Sequence, residues 1–264
     1  MANDTNVSLI DTLTNANCLE AMQQIADHSI DLILTDLPYG TTRNKWDTLL
    51  PLDRLWSEWR RIITPRGAIV LFAQCPFDKV LGSSNLPWLR YEWIWVKEQG
   101  TGHLNAPYAP MKQHETILVF SPAAASHTGK PTMIYNPQYR KGKAYCTKEH
   151  ISTSRNYDHK HQRPVGTNND GNHYYPLDVL RYSRDKDKLH PTQKPIALLR
   201  YLIRTYTNPD MTVLDCCAGS GSTCIAAALE HRHYIAFELD PDIYQMARKN
   251  IYNHTAQGTF FFPD

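Results

Sequence analysis

Short apolar runs alternate with amphipathic segments along most of this 264-residue chain. In the first half, four runs have the length and composition typical of strands: Leu32 to Thr35, Ala68 to Phe72, Trp93 to Val96 and Thr116 to Phe120. Apolar residues at helical spacing predict helices over Leu19 to Ala26 and Pro51 to Ile63. The pattern therefore indicates an α/β fold.

The last part of the chain continues this alternation. Pro195 stands where the first turn of a helix favours proline, so a helix is predicted over Ile196 to Tyr206. The next predicted segments are a strand from Thr212 to Asp215, a helix through Cys224 to Leu229, a strand from Tyr234 to Glu238 and a helix from Pro241 to Ile251. Strands that alternate with helices predict a mostly parallel, doubly wound sheet.

The first candidate site follows the run Leu32 to Thr35 and consists of Asp36, Leu37, Pro38 and Tyr39. A carboxylate, a carbonyl and an aromatic ring together can hold a planar exocyclic amine. Asp36 and the Leu37 carbonyl would accept its two N–H groups, and the Tyr39 ring would stack on the base. The same four residues also suit an ordinary turn after a strand.

A second candidate site begins at Asp215, where the strand runs into a glycine-containing turn and then a helix. Gly219 and Gly221 allow the backbone to approach a ligand closely, and the start of the helix offers N–H groups to an anion. Glu238 ends the next strand, where an acid in a doubly wound unit binds ribose hydroxyls. A packing turn without a ligand is the alternative.

Together these segments resemble a known family. Asp36 to Tyr39 is similar to the Asp-Pro-Pro-Tyr catalytic motif of amino-DNA methyltransferases, and Asp215 to Thr223 is similar to their Asp-Pro-Phe-x-Gly-Ser-Gly-Thr-Thr cofactor loop. The catalytic motif comes first, which is the order of the permuted β class. Further segments that resemble the family are Ala16 to Glu20, Trp95 to Lys97, His114 to Leu118 and His190 to Pro195.

The resemblance implies a Rossmann-like class I methyltransferase sheet with an antiparallel final strand and with Asp36 and Asp215 on neighbouring strand ends. It implies S-adenosylmethionine as cofactor and adenine N6 in double-stranded DNA as acceptor, with flipping of the target base. The implied catalytic residues are Asp36, Leu37, Pro38 and Tyr39. The implied cofactor-binding residues are Asn17, Cys18, Asp36, Lys194, Asp215, Cys216, Ala218, Gly219, Ser220, Gly221, Ser222, Thr223, Glu238 and Leu239.

Three departures from the family pattern bear on these roles. Leu37 replaces a proline, but that position contributes its backbone carbonyl, so the acceptor is kept. Cys216 and Cys217 replace Pro-Phe and remove a ring beside the cofactor, which we expect to affect cofactor affinity. Asn17 replaces an aspartate and can still hydrogen-bond to an adenine edge.

The segment from Ser121 to Leu189 lacks apolar periodicity and is basic, with 12 Lys and Arg against 6 Asp and Glu. Seven tyrosines and five histidines are interleaved with these charges. Lys and Arg neutralise phosphates, and aromatic rings stack on bases. We therefore predict one domain in three parts: a catalytic half at 1–120, a target-recognition insertion at 121–189 and a cofactor-binding half at 190–264. A solvated insertion without a DNA role is the alternative.

Composition limits the class of protein. A chain of this length with 42% hydrophobic residues can bury one full core. Neither a signal segment nor an apolar run of membrane-spanning length is visible, which predicts a soluble cytoplasmic protein of a bacterium or of a phage-infected host. The 6 cysteines lack Cys-x-x-Cys spacing, so no disulfide framework and no zinc site are predicted.

Other functions share parts of the pattern. Cytosine-N4 methyltransferases use the same chemistry with a motif that more often begins with Ser, and RNA or protein amino-methyltransferases usually place the cofactor loop first. An inactive DNA-binding module would have no need of Asp36 or the loop glycines. Adenine-N6 methylation is the favoured prediction, with a homodimer and a cognate restriction endonuclease as candidate partners. The recognition sequence cannot be read from the composition.

Overall fold

The computed structural model describes residues 9–40, 48–126, 130–147, 168–185 and 193–255. The strands in these residues are β1 Thr12–Asn15, β2 Ile30–Asp36, β3 Ile63–Ala73, β4 Leu89–Thr101, β5 Lys112–Phe120, β6 Tyr145–Cys146, β7 Asn168–Asn169, β8 Val179–Arg181, β9 Thr212–Asp215 and β10 His233–Glu238. Eight of them form one sheet in the order β1-β10-β9-β2-β3-β5-β4-β8.

Among the described strands of this sheet, β5 alone runs against the others. It pairs antiparallel with β3 and with β4, whereas the remaining neighbours are parallel. The short connection between β4 and β5 allows only an antiparallel pair, since a parallel pair needs a long crossover. The observed sheet confirms the predicted mostly parallel α/β fold.

The helices are α1 Cys18–Ala21, α2 Leu52–Ile62, α3 Phe77–Ser83, α4 Ile196–Tyr206, α5 Ser222–Leu229 and α6 Pro241–Thr255, with 3-10 turns at Met22–Gln24 and His103–Asn105. The helix predicted over Leu19 to Ala26 is therefore shorter, because the chain tightens into a 3-10 turn and is extended at Ile25. In the described part of the chain, every helix is too short or too polar to span a membrane.

Three elements of the main sheet region were not predicted: β1, α3 and β8. Each is short, and its sequence lacks a clear period of two or 3.6 residues. β1 is half-buried over Thr12, Leu13 and Thr14, and its four residues pair one by one with β10. Pairing with a neighbouring strand, rather than local sequence preference, therefore stabilises it.

Two apolar layers cover the sheet and fix the direction of β2. Successive residues of a strand point to opposite faces, so Ile33 packs in one layer with Trp59, while Leu34 packs in the other with Tyr206. All four side chains are fully buried, and each such burial stabilises the fold by about 1.5–3 kcal/mol. This packing holds the end of β2, and with it Asp36, at the carboxyl edge of the sheet.

Residues Pro137–Leu177 form a separate compact unit, in which β6 pairs antiparallel with β7. Arg140 and Tyr174 form a further bridge. The Tyr139 ring centre lies 5.3 Å from that of His173 and 5.4 Å from that of Tyr175. This unit falls within the predicted insertion, whereas the described residues 121–126, 130–136 and 178–185 of that insertion belong to the main unit.

Candidate active site

A cleft of about 840 Å³ opens at the carboxyl edge of the sheet. Since β2 and β9 are paired, Asp36 and Asp215 end neighbouring strands, as predicted. The predicted residues that line the cleft are Asn17, Cys18, Asp36, Leu37, Pro38, Tyr39, Lys194, Asp215, Cys216, Ala218, Gly219, Ser220, Ser222, Thr223, Glu238 and Leu239. Both motifs therefore contribute to one cavity.

Two donors hold the Asp36 carboxylate. The Tyr39 hydroxyl donates to Oδ1 at 2.6 Å, and the Lys194 ammonium donates to Oδ2. Burial raises the pKa of Asp36 above its ordinary value, and Lys194 opposes that shift. Because each carboxylate oxygen has a second lone pair, Asp36 can still accept a hydrogen bond from a ligand in the cleft.

The turn after Asp36 is anchored by packing. Leu37 is 3% exposed and belongs to the hydrophobic core, although it also reaches the cleft. The ring of Tyr39 lies 5.4 Å from that of Phe77, at an interplanar angle of 31°. Where the family has a rigid proline, this chain fixes the turn through the buried Leu37 side chain.

Behind Asp36 lie two further charged residues that the sequence prediction did not assign to the site. Glu115 Oε2 is 3.3 Å from Lys194 Nζ, and Glu115 Oε1 is 2.5 Å from Lys97 Nζ. Burial would raise the pKa of Glu115, but Lys194 and Lys97 together lower it below its ordinary value. The available signal was that both residues fall in segments that resemble the family, Trp95 to Lys97 and His114 to Leu118.

Other residues that line the cleft were also missed, among them Phe72, Gln74, Trp95, Arg184 and Asp240. Trp95 belongs to a segment that resembles the family, but the other four carry no recognisable motif, so only the three-dimensional arrangement identifies them. The predicted motif residues His190, Pro191 and Thr192 lie outside the described part of the chain.

The two loop glycines have different surroundings. Gly219 has a φ of +53° and Gly221 a φ of +77°, both in the left-handed region that favours glycine. A Cβ on Gly219 would meet nothing within 4 Å, whereas one on Gly221 would lie 3.0 Å from Ile251. Gly219 thus leaves open backbone on the cleft, while Gly221, which does not line it, allows α6 to pack closely.

Asp215 is buried at the base of the loop. Its Oδ1 accepts from the Thr35 hydroxyl at 2.8 Å and from the Cys217 N–H at 3.1 Å. Burial raises the pKa of Asp215 to about 6, although these hydrogen bonds and one to Thr223 oppose the shift. Asp215 therefore links the end of β2 to the glycine loop.

Glu238 and Asn17 also organise the backbone around the cleft. Glu238 accepts the Gly219 N–H at Oε2 and the Asp240 N–H at Oε1, both at 2.9 Å. Burial raises the pKa of Glu238, and these backbone donors oppose that shift. Asn17 caps α1 by accepting the Leu19 N–H at 3.0 Å. Both side chains thus have a structural role in addition to the ligand contacts predicted for them.

Three thiols line the cleft: Cys216 and Cys217, where the family has Pro-Phe, and Cys18. A side-chain hydrogen bond between Cys18 and Cys217 lowers the pKa of Cys18 and raises that of Cys217. Burial raises the pKa of Cys216 well above its ordinary value, and its Sγ accepts from Trp59 Nε1 at 3.4 Å. Cys216 and Cys217 are therefore neutral thiols that form a small, weakly polar wall of the cleft.

The strand order, with a cleft formed by the Asp36 turn and the glycine loop at the carboxyl edge of the sheet, is that of a class I, Rossmann-like methyltransferase fold. The family model N6_N4_Mtase, described as DNA methylase, matches residues 30–249. The chain belongs to this family.

Characterised relatives cover nearly the whole chain. The type II methyltransferase M.HpaI of Haemophilus parainfluenzae is 27% identical over 252 residues, which span 89% of this chain and 72% of the relative. The DNA adenine methyltransferase YhdJ of Escherichia coli (strain K12) is 25% identical over 254 residues, spanning 91% and 82% of the two chains.

Solved structures share the fold. A complex of M1.HpyAVI with SAM superposes with a TM-score of 0.57 at 22% identity, covering 90% of this chain and 98% of that one. The cytosine-N4-specific PvuII DNA methyltransferase gives a TM-score of 0.64 at 16% identity, covering 94% and 93%. At these identities the likeness concerns the fold and does not distinguish the two acceptor bases.

Proposed function

We propose that this protein transfers the methyl group of S-adenosylmethionine to N6 of adenine in double-stranded DNA. The observation that carries the proposal is the single cleft that contains both the Asp36 turn and the open backbone of Gly219. The likeness to YhdJ, a DNA adenine methyltransferase, supports the choice of base.

Asp36 and Leu37 would prepare the acceptor nitrogen. An exocyclic amine is a weak nucleophile because its lone pair is delocalised into the ring. Asp36 and the Leu37 carbonyl accept its two N–H groups and so favour the tetrahedral nitrogen that the transition state requires. The Tyr39 ring, packed against Phe77, would clamp the base by stacking.

The cleft fits S-adenosylmethionine. Gly219 leaves room for the amino-acid end of the cofactor, Glu238 lies where the ribose hydroxyls are bound in this fold, and Asn17 with Cys18 lines the side proposed for adenine. The volume of the cleft is within the range of small-molecule sites. When bound, the cofactor supplies a methyl group on an activated sulfonium, so the protein contributes mainly by positioning the reactants.

After transfer, the methylated nitrogen must lose a proton. Asp36 is the carboxylate proposed to contact this nitrogen, and its side chain is 27% exposed. Asp36 can therefore accept the proton and pass it to water at the mouth of the cleft. The proton becomes acidic only as the new bond forms, so Asp36 need not be a strong base.

The target base must leave the duplex to enter the cleft, because its amino group is otherwise paired. We propose that the basic segment 121–189 contacts the DNA. Lys141 and Lys143 are exposed, as are the Tyr139 and Tyr175 rings. Such side chains suit phosphate and base contacts.

Cytosine N4 is the second candidate acceptor, since the cytosine-N4-specific PvuII enzyme shares the fold. Adenine is favoured because the catalytic motif of this chain begins with Asp36 instead of serine. To separate the two, the protein is incubated with methyl-labelled cofactor and mixed-sequence duplex DNA, which is then digested to nucleosides. Label in N6-methyldeoxyadenosine is expected. Label in N4-methyldeoxycytidine would change the assignment, and no label would refute the proposed function.

A further inference from the structure

Four charged side chains of alternating sign run from the cleft into the sheet. In order they are Asp36, Lys194, Glu115 and Lys97. Lys194 donates to Asp36 and lies 3.3 Å from Glu115, which in turn lies 2.5 Å from Lys97. We refer to these four residues as the charge chain. With each group in its usual ionised form, its charges sum to zero.

Exposure falls from one end of the charge chain to the other. The side chain of Asp36 is 27% exposed, and those of Lys194, Glu115 and Lys97 are 10%, 9% and 5% exposed. An aromatic ring faces each of the two cations. Lys194 Nζ lies 5.0 Å from the centre of the Phe72 ring, and Lys97 Nζ lies 5.4 Å from the centre of the Trp95 ring. Only the Asp36 end of the charge chain therefore opens widely to the cleft.

Fold stability does not account for this arrangement. Removing four charges from water is costly, and replacing buried ion pairs by apolar residues is often neutral or stabilising. Glu115 and Lys97 lie on the paired strands β5 and β4, next to the buried Trp95, which pairs with Glu115 across the strands and whose ring faces Lys97. Their connection through Lys194 to Asp36 points to a role in the chemistry of the cleft.

We propose that Glu115 and Lys97 are positioning residues that hold Lys194 against the Asp36 carboxylate and balance its ionisation, Lys97 favouring the charged form and Glu115 opposing it, while the carboxylate stays oriented toward a substrate amino group. This inference rests on the proposed function only for the identity of the substrate. Lys194 lies between Asp36 and Glu115 and contacts both, so Glu115 and Lys97 affect Asp36 through the placement of this ammonium and through their own charges.

The charge chain predicts that loss of Lys97 and loss of the Glu115 charge change the ionisation of Asp36 in opposite directions. Loss of Lys97 gives the charge chain a net negative charge, which disfavours ionisation of Asp36. Loss of the Glu115 charge gives the charge chain a net positive charge, which favours ionisation of Asp36. Consistent with this sign, Glu115 contributes to raising the pKa of Asp36, although burial contributes more. The titratable and charged groups that line the cleft with Asp36 in the described residues are Cys18, Tyr39, Lys97, Glu115, Arg184, Lys194, Asp215, Cys216, Cys217, Glu238 and Asp240.

The test is a carboxyl-¹³C NMR titration of Asp36 in the cofactor-free protein, with the signal assigned by Asp36→Asn. Lys97→Met should raise the Asp36 midpoint by about 0.5–1 pH unit, and Glu115→Gln should lower it by a similar amount. The double variant Lys97→Met/Glu115→Gln removes one charge of each sign and should restore the wild-type midpoint. Lys79→Met is the control, because the Lys79 side chain is 77% exposed and neither it nor its ion-pair partner Asp78 lines the cleft.

A second readout is the pH dependence of single-turnover methyl transfer. Its acid limb should move in the same direction as the Asp36 midpoint in each variant, whereas a purely structural defect would lower the rate without moving the limb. Midpoints that shift in the same direction in both single variants, or do not shift at all, would overturn the inference. Because the NMR titration needs no reaction, it can succeed even if methyl transfer to adenine is not found.

Discussion

At the scale of single residues, Asp36 and Asp31 offer a matched comparison, because both carboxylates belong to β2. Asp36 ends the strand in the cleft, whereas Asp31 lies near its start and accepts the Thr212 N–H at 3.0 Å. Asp36→Asn should lower the single-turnover rate by at least about a hundredfold, since an amide accepts fewer hydrogen bonds and cannot take a proton. Cofactor affinity, measured by calorimetry, should change little.

Asp31→Asn is the control, since its amide oxygen can still accept the Thr212 N–H. It should keep the rate within a few fold of the wild type. If Asp36→Asn also kept the wild-type rate, Asp36 would not be the carboxylate that prepares the substrate amine.

Asp215 gives a pH-dependent prediction. Its pKa of about 6 in the folded protein lies above the ordinary 3.8, so folding favours the protonated form. The contribution of Asp215 to stability is therefore greatest at low pH and falls as pH rises from about 4 through 6. Relative to Asp215→Asn, the free energy of unfolding of the wild type should fall by about 1 kcal/mol between pH 5 and 7.5. Urea unfolding at both pH values measures this difference, and a constant or growing advantage of the wild type would contradict it.

The candidate site could be predicted from sequence only where a motif gave chemical meaning to a short segment. Asp36 and Gly219 were predicted because each belongs to a short motif whose residue types and order in the chain indicate a specific kind of ligand contact. Glu115 and Lys97 were not, because their strands also contain other charged residues, and a charged residue in such a strand is usually solvated. Their importance depends on β4 and β5 pairing beside Lys194, which no local pattern contains.

At the scale of elements, local sequence predicted the long helices and buried strands better than the short ones. The bounds predicted for α4, Ile196 to Tyr206, are those observed, because a continuous amphipathic pattern follows Pro195. β1 has no comparable signal, since it depends on pairing with β10. Elements that are stabilised by a distant partner are therefore the ones that sequence patterns miss.

Two leucines show how much an element relies on burial. Leu202 in α4 is fully buried between helix and sheet, whereas Leu104 in the β4–β5 connection is 94% exposed. Leu202→Ala should destabilise the protein by about 2–5 kcal/mol through lost contacts and a cavity. Leu104→Ala should change stability by less than about 0.5 kcal/mol. Denaturant unfolding of the two variants, which carry the same substitution, measures both values. Equal losses in the free energy of unfolding would contradict the observed packing.

At the scale of the whole molecule, the alternation of strands and helices was enough to predict a mostly parallel sheet. It could not give the bounds of the separate unit Pro137–Leu177, because the basic segment has no periodic pattern from which to place a boundary. It also could not place β8 beside β4, since three residues carry too little pattern to specify a partner.

The proposed DNA contact of the separate unit leads to a salt-dependence prediction. Lys141→Gln/Lys143→Gln should weaken binding to duplex DNA of any sequence and reduce the slope of log affinity against log salt by up to about 2. Lys249→Gln, an exposed lysine of α6, is the control for loss of positive charge elsewhere. Fluorescence anisotropy at several salt concentrations measures the slopes. A double variant with the slope of the wild type would mean that these lysines do not contact phosphates.

The strand order also has a consequence for protein synthesis. β2 pairs with β9 on one side, and the residues that join these strands, Thr35 and Asp215, are 180 positions apart. On the ribosome, β2 is therefore made long before its neighbour, and one edge of an apolar strand stays without its native partner during most of translation. Unpaired strand edges favour association with other chains. Nascent chains stalled before Thr212 should therefore bind chaperones or aggregate more than chains stalled after Glu238.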